Sequence, residues 1–259
     1  MPRVNAIAGL TILAAIVILV LSRAPIVCAK PLRVGYFKVA PHAMPGPQDK
    51  PVGIAVEYFK LIAREMPLDD IDFILLPLNR LLIELENNRI DMALLLAKND
   101  ERAAKFVYPA EAFCVTKPSI AVNASNALQK VISVEDLLPL SFHETPGNYR
   151  SVIMRDQRLQ IEPLNGDNFT RRCYSMILAG RIDACYQPDH YPIQFEATRE
   201  EFASRIRILY LPDAPIGLYS AFSKAGSERY LKAYEAALSV VKQQQSYGTI
   251  FEKFIVDYQ

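Results

Sequence analysis

No excess of charge and no basic run marks this chain. Its 29 lysines and arginines face 28 aspartates and glutamates, for a formal net charge of +1. That balance excludes a nucleic-acid binder, which meets phosphates with a basic excess or basic patches. Cysteine and histidine are equally thin. Four cysteines and three histidines are spread along 259 residues, never clustered as a tetrahedral zinc site requires. No phosphate loop, metal signature or nucleophile–histidine–acid order can be picked out, so neither a catalytic residue nor a cofactor or metal is expected. Low-complexity stretches are missing too. An apolar content of 51% then describes a globular protein of one or two domains.

What is present begins with an export signal. Met1-Pro2-Arg3 gives a short basic start, and Ala6 to Leu21 is an uncharged apolar run. Val27-Cys28-Ala29 offers a site of the kind a signal peptidase reads. The run is roughly sixteen residues, short of the ~20 that cross a bilayer comfortably, which favours a cleaved signal over a retained anchor. Cys28 permits a lipoprotein reading, but Val27 is bulkier than the residue usually found before a lipidated cysteine. Residues 1–29 are therefore read as a signal peptide and the protein as periplasmic. Cleavage leaves Cys114, Cys173 and Cys185 in an oxidising compartment, an odd count. Cys173 falls on an expected helix and Cys185 on the strand after it, so these two are the candidate disulfide.

Beyond the signal, strands and helices alternate. Leu32–Tyr36 reads as a strand, followed by a loop with Pro41, Pro45, Pro47 and Pro51 that cannot be helical. Apolar residues at helical spacing run from Val52 to Met66, and Pro67 stops them. Strands are expected at Ile71–Leu76 and Ile90–Leu96, with a helix at Arg80–Asn88 between them. Phe113–Asn123 reads as extended. Ser133 looks like a helix cap with an acid three residues on. Strands follow at Leu138–His143, Arg158–Pro163 and Ile182–Gln187, and helices from Gly147 and over Asn168–Ala179. An extended run at Ile216–Phe222 precedes a long helix capped by Ser227 and a last helix from Tyr247. Such alternation implies α/β units with largely parallel sheets. A short echo supports two units: Asn88-Arg89-Ile90-Asp91-Met92-Ala93 and Gly180-Arg181-Ile182-Asp183-Ala184 each close a helix and open a strand.

Leu32-Arg33-Val34-Gly35, Pro51-Val52-Gly53-Ile54-Ala55-Val56-Glu57, Asn79-Arg80-Leu81-Leu82, the two echo motifs, Asp100-Glu101-Arg102 and Tyr247-Gly248-Thr249-Ile250 occur in an order that resembles the bacterial extracellular solute-binding proteins of family 3. Those are periplasmic receptors serving polar amino-acid ABC transporters. The resemblance implies a two-lobed periplasmic-binding-protein fold of type II, with two α/β lobes joined by hinge strands near Phe113–Val122 and Ile216–Phe222. Lobe one would comprise 30–114 and 223–259, and lobe two with the hinge strands 115–222. The implied function is capture of an amino acid or other small carboxylate between the lobes, by a monomer that serves a transporter permease or a sensor.

The resemblance also nominates residues. Arg102 would grip the ligand carboxylate with its planar fork, flanked by Lys98 and by Asn99, which stands where the family has threonine. Tyr36, Phe37 or His42 would replace the aromatic residue of the first loop. Gly147 and Asn148 occupy the turn that in the family opens a helix against the ligand. The acid that pairs with the ligand's ammonium is missing: Pro188 takes its place, and Asp189 is one residue late, which weakens the inheritance of an α-amino-acid ligand. Relatives of this fold also include a dehydratase of prephenate-like acids, for which Glu144 and Asp189, with His143 nearby, would be the residues to inspect. The exported protein is expected to begin at Lys30, which intact-mass analysis of a periplasmic extract checks.

Overall fold

The computed structural model describes residues 30–258; the expected signal peptide lies outside them. The chain first lays down β1 (Leu32–Tyr36), a two-residue ribbon of β2 (Met44–Pro45) and β3 (Pro51–Val52), and α1 (Ile54–Arg64). Next come β4 (Ile71–Leu75), α2 (Leu78–Glu86), β5 (Met92–Ala97) and α3 (Asp100–Lys105). After β6 (Cys114–Thr116), β7 (Ser119–Asn123) opens a second region with β8 (Ser141–Glu144), β9 (Gln160–Pro163), α4 (Phe169–Leu178), β10 (Ala184–Gln187), α5 (His190–Ala197) and β11 (Ile206–Tyr210). The end is β12 (Ile216–Phe222), α6 (Lys224–Gln244) and α7 (Tyr247–Tyr258).

Two five-stranded sheets result, ordered β4-β1-β5-β12-β6 and β9-β8-β10-β7-β11. In each, four strands run in one direction and one opposes them, β12 in the first sheet and β7 in the second. This is the two-lobed, mixed α/β architecture expected. Helices cover both faces of the first sheet, so its central strand β5, Met-Ala-Leu-Leu-Leu-Ala, is buried at every residue and carries no polar alternation. The C-terminal helices bury Tyr234, Leu238, Tyr247 and Phe251 in the core of the first sheet.

The echoed motifs do the same work in both lobes. Asp91 Oδ2 accepts from the Arg33 backbone N–H at 2.9 Å, and Asp91 N–H donates to Arg33 O at 2.9 Å. Asp183 Oδ2 accepts from Ser141 N–H at 2.9 Å, and Asp183 N–H donates to Ser141 O at 3.2 Å. Each aspartate thus ties the start of its strand to the neighbouring parallel strand. Asp91 is wholly buried. Burial alone would raise its pKa, but the Arg33 guanidinium and backbone N–H, with Arg229, outweigh that and hold it below the usual carboxylate range.

The lobes are joined through residues 117–118 and 211–215, and Leu211 N–H donates to Pro118 O at 2.9 Å, so the crossings lie side by side. The extended stretch around Phe113–Val122 is divided at Lys117-Pro118 between the two sheets. Ile216–Phe222 lies within the first sheet, paired with both β5 and β6, and the strand that precedes it in the chain, β11, lies in the second.

Three local expectations are corrected. No helix opens at Gly147: Asn148 N–H closes a turn on Thr145 O, and Gly147 takes a φ of +77°. The following residues form no α-helix, and the Tyr186 hydroxyl accepts from Ser151 N–H and donates to Tyr149 O. The long helix is capped by Ser223, whose hydroxyl accepts from Gly226 N–H at 3.0 Å, and not by Ser227, which sits inside the first turn. Ser133 does make a capping box, but for a single turn only.

Cys173 on α4 and Cys185 on β10 form a disulfide, with Cα atoms 6.1 Å apart, and Cys114 is a free thiol. Burial pushes the Cys114 thiol well above its ordinary pKa, which keeps it protonated and inert. The disulfide closes a short loop of separation 12, worth about 3 kcal/mol in the chain-entropy account. Reduction, or Cys173→Ser, is expected to lower unfolding free energy by about that amount in urea titrations, with Cys114→Ser unaffected by reductant beyond the wild-type response.

Candidate functional site

A cavity of about 80 Å³ lies between the lobes. From the first lobe it is walled by Phe37 after β1, by Leu95, Leu96 and Ala97 at the end of β5, by Arg102 and by Leu218. The second lobe contributes Gly147, Asn148, Tyr149, Gln187, Pro188 and Asp189. The cavity sits beyond the carboxyl ends of β1, β5 and β10, where open α/β sheets place their ligands. A side-chain carbon added at Gly147 would lie 3.7 Å from Asn79 Oδ1 of the facing lobe. Lys38 Nζ and Asp167 Oδ2 bridge the rim at 2.7 Å.

Arg102 is positioned by its own helix start. Asn99 Oδ1 accepts from Arg102 N–H at 2.8 Å, capping α3, as asparagine does well at this position. The guanidinium then donates to Ala97 O at 3.1 Å. Arg102 has no ion pair among the described residues, and neither Asp100 nor Glu101 neutralises it. A half-buried, uncompensated guanidinium with donors to spare is a ready partner for a carboxylate. Beside it, Leu95 holds a φ of +62° where the β5–β12 register shifts. A non-glycine residue in that region costs on the order of 1–3 kcal/mol, and such bulges re-aim side chains next to binding sites.

Asp189 does a different job from the one expected of it. It caps α5 by accepting from Tyr191 N–H at 3.0 Å, accepts from the Thr116 hydroxyl at 2.7 Å, and accepts from His42 Nε2 at 2.6 Å. His42 is 1% exposed and its Nδ1 is hydrogen-bonded to the Tyr247 hydroxyl, so it is neither a solvated loop residue nor a free ligand group. Gly53 fixes it. The N–H groups of Ile54 and Ala55 donate to Pro41 O and His42 O at 3.0 and 2.9 Å. Any side chain at Gly53, φ +126°, would strike those carbonyls at 2.5–2.6 Å. Burial pushes the Asp189 pKa up, but His42, Thr116 and the Tyr191 N–H together outweigh burial and hold it below its ordinary value.

The other nominated residues divide. Phe37, Arg102, Gly147, Asn148 and Asp189 line the cavity. Lys98 and Asn99 line a neighbouring hollow with Ser151, Asp213 and Tyr219, and Lys98 Nζ stands 5.6 Å from the Tyr108 ring. Tyr36 points away from the cavity, buried with Val56 and Phe73, because alternate residues of β1 face opposite sides of the sheet. Glu144 is held by Arg150, whose Nε donates to both carboxylate oxygens at 2.9 and 3.0 Å. His143 contacts Glu162 O. Neither is presented to the cavity. Sequence reasoning missed Tyr149, Gln187 and Leu95 on the walls and Thr116 and Tyr247 behind them. The Gly53 motif was the one available pointer to the His42 loop.

Two mixed α/β lobes, joined by a double crossing and closing on a cleft at strand ends, define a periplasmic binding protein of type II. The chain belongs to the bacterial extracellular solute-binding proteins, family 3, whose pattern matches residues 32–257. This is a family of binding proteins, and the chain is a solute-binding protein. Solved structures of similar fold include an arginine-specific periplasmic binding protein of Salmonella typhimurium, 18% identical with a TM-score of 0.67, the match covering 87% of this chain and 99% of that one. The GluR0 ligand-binding core of Nostoc punctiforme, in complex with L-glutamate, is 16% identical with a TM-score of 0.69 over 86% and 98% of the two chains. A double mutant of the BvgS VFT2 domain of Bordetella pertussis is 15% identical with a TM-score of 0.70 over 86% and 92%. No curated protein sequence matches the chain.

Asp189→Ala strands three buried donors and is expected to cost about 3–5 kcal/mol. Because the folded-state pKa of Asp189 lies below the ordinary 3.8, its contribution is complete above that value and is lost as pH falls through the folded-state pKa. Stability measured by urea titration from pH 6 to pH 2 should therefore fall less steeply with acid in Asp189→Ala than in wild type.

Proposed function

We propose that this protein captures a small carboxylate-bearing solute in the interlobe cleft, with Arg102 as the group that grips the carboxylate. The observation that carries this reading is the uncompensated guanidinium at the cleft wall, held in place by Asn99 and Ala97. Phe37, Asn148, Tyr149 and Gln187 complete the enclosure. Lobe closure turns on the paired crossings at 117–118 and 211–215, which lets the cleft open for entry and bury the ligand afterwards. Family membership supports export to the periplasm, with residues 1–29 as the cleaved signal. It also supports action as a monomer that hands its ligand to an ABC transporter permease or reports it to a sensor.

The neighbours of similar fold, whose ligands are glutamate and arginine, support a solute of amino-acid size. Binding needs no chemistry from Glu144 or Asp189, both of which are engaged by other side chains. A thermal-shift screen of small carboxylates tests the reading: a ligand at 100 times its Kd should stabilise the protein by about 2.7 kcal/mol. Arg102→Ala is expected to weaken a confirmed anionic ligand at least tenfold in calorimetric titration. An affinity within twofold of wild type would remove Arg102 from the site.

A further inference from the structure

We infer that the solute is a short-chain monocarboxylate without an amino group. The inference rests on the carboxylate reading above and narrows it by the charges and walls of the same cleft.

The charges come first. Arg102 is the one cation lining the cavity outside the His42–Asp189 pair, and no described acid neutralises it. Asp189 is the one acid lining it. Of the roughly four lone-pair positions a carboxylate offers, Asp189 already gives three, to His42, Thr116 and the Tyr191 N–H. Its side chain is only 12% exposed. Glu144 is held by Arg150 and Asp167 by Lys38, while Asp213, whose Oδ2 has no hydrogen-bond partner among the described residues, lines the adjoining hollow and not this cavity. A ligand ammonium brings three donors and a full charge, and burying it without matching acceptors is strongly unfavourable. The two polar side chains of the second lobe partly satisfy each other, since Asn148 Nδ2 donates to Gln187 Oε1 at 3.1 Å. The cleft therefore accepts one negative charge and offers a poor berth to a positive one.

The walls supply the rest. Phe37, Val39, Leu78, Leu95, Pro192 and Leu218 line the cavity, which suits a hydrocarbon body beyond the carboxylate. Leu95 reaches that wall from a left-handed backbone conformation in the central strand, an arrangement that a merely structural strand would not require. The cavity is small, about 80 Å³, which suits a short-chain solute.

The test is calorimetric titration of the purified exported protein with butanoate, 3-methylbutanoate, valine, 3-methylbutanamide and succinate. Valine is 3-methylbutanoate with an added amino group, and the amide has the same skeleton without the charge. The expected result is binding of one or both monocarboxylates at least tenfold more tightly than valine, the amide or succinate. Valine binding as tightly as 3-methylbutanoate would overturn the exclusion of an amino group while leaving the carboxylate reading in place. Succinate binding more tightly would overturn the single-charge assignment. If neither acid binds at millimolar concentration, this inference is overturned by itself; if the amide matches the acid, the carboxylate reading fails and this inference falls with it.

Discussion

The hydrogen bond between His42 and Asp189 joins the two lobes where water does not reach, and much of the molecule is arranged around it. His42 comes from the loop after β1 and is fixed by the first N–H groups of α1 across Gly53. Asp189 comes from the junction of β10 and α5, and Thr116 from the strand leading into the crossing. The Tyr247 ring stacks on His42 at 5.8 Å, and Tyr191 packs edge-on against Tyr247 and Phe251 at 5.4 and 4.7 Å. Helix α5 thus belongs to the second lobe by sequence but buries Tyr191 and Phe195 in the core of the first. The wall of the adjacent cavity is thus already satisfied by the protein's own polar groups, and Arg102 is the charged group lining the cavity without an ion pair among the described residues.

Much of the fold was legible because it follows from local pattern. Strand-length apolar runs, helices ended by proline and the repeated Arg-Ile-Asp joints each express a constraint between residues close in sequence. The echo had a cause that pattern alone could not reveal. In both lobes the aspartate reaches across to a parallel strand, 58 residues away for Asp91 and Arg33 and 42 for Asp183 and Ser141. Helix α5 escaped notice because it is enclosed by both lobes and has no polar stripe to set off an apolar one, and because Pro192 falls in its first turn, where proline is tolerated. Strand β11 was hidden by Arg205 and Arg207, whose guanidinium groups turn outward to carbonyls of neighbouring segments.

The cleft was legible to a smaller degree for the same reason. Arg102 could be nominated because Asp100-Glu101-Arg102, one of the motifs that carry the resemblance, is contiguous in sequence. The fate of Asp189 could not, since its partners stand 147 and 73 residues away. Nor could the left-handed Leu95, which arises from a register shift between β5 and a strand that returns more than a hundred residues later. Proline at 188 stands where the resemblance would place an acid, and Asp189 beside it is engaged by His42, Thr116 and the Tyr191 N–H.

The double crossing has a consequence for the order in which the molecule can assemble. Residues 119–210 contain every strand of the second sheet, so that lobe can close on itself as soon as its own segment is available. The first sheet is discontinuous: β12 pairs with β5, and α6 and α7 must return to α1 before its core is complete. As the chain emerges from its N-terminus, the first lobe waits on the last forty-odd residues while the second finishes. Tyr247, which meets His42, arrives among the final elements. The contact that joins the lobes is then a late event, formed only after each sheet has its full complement of strands.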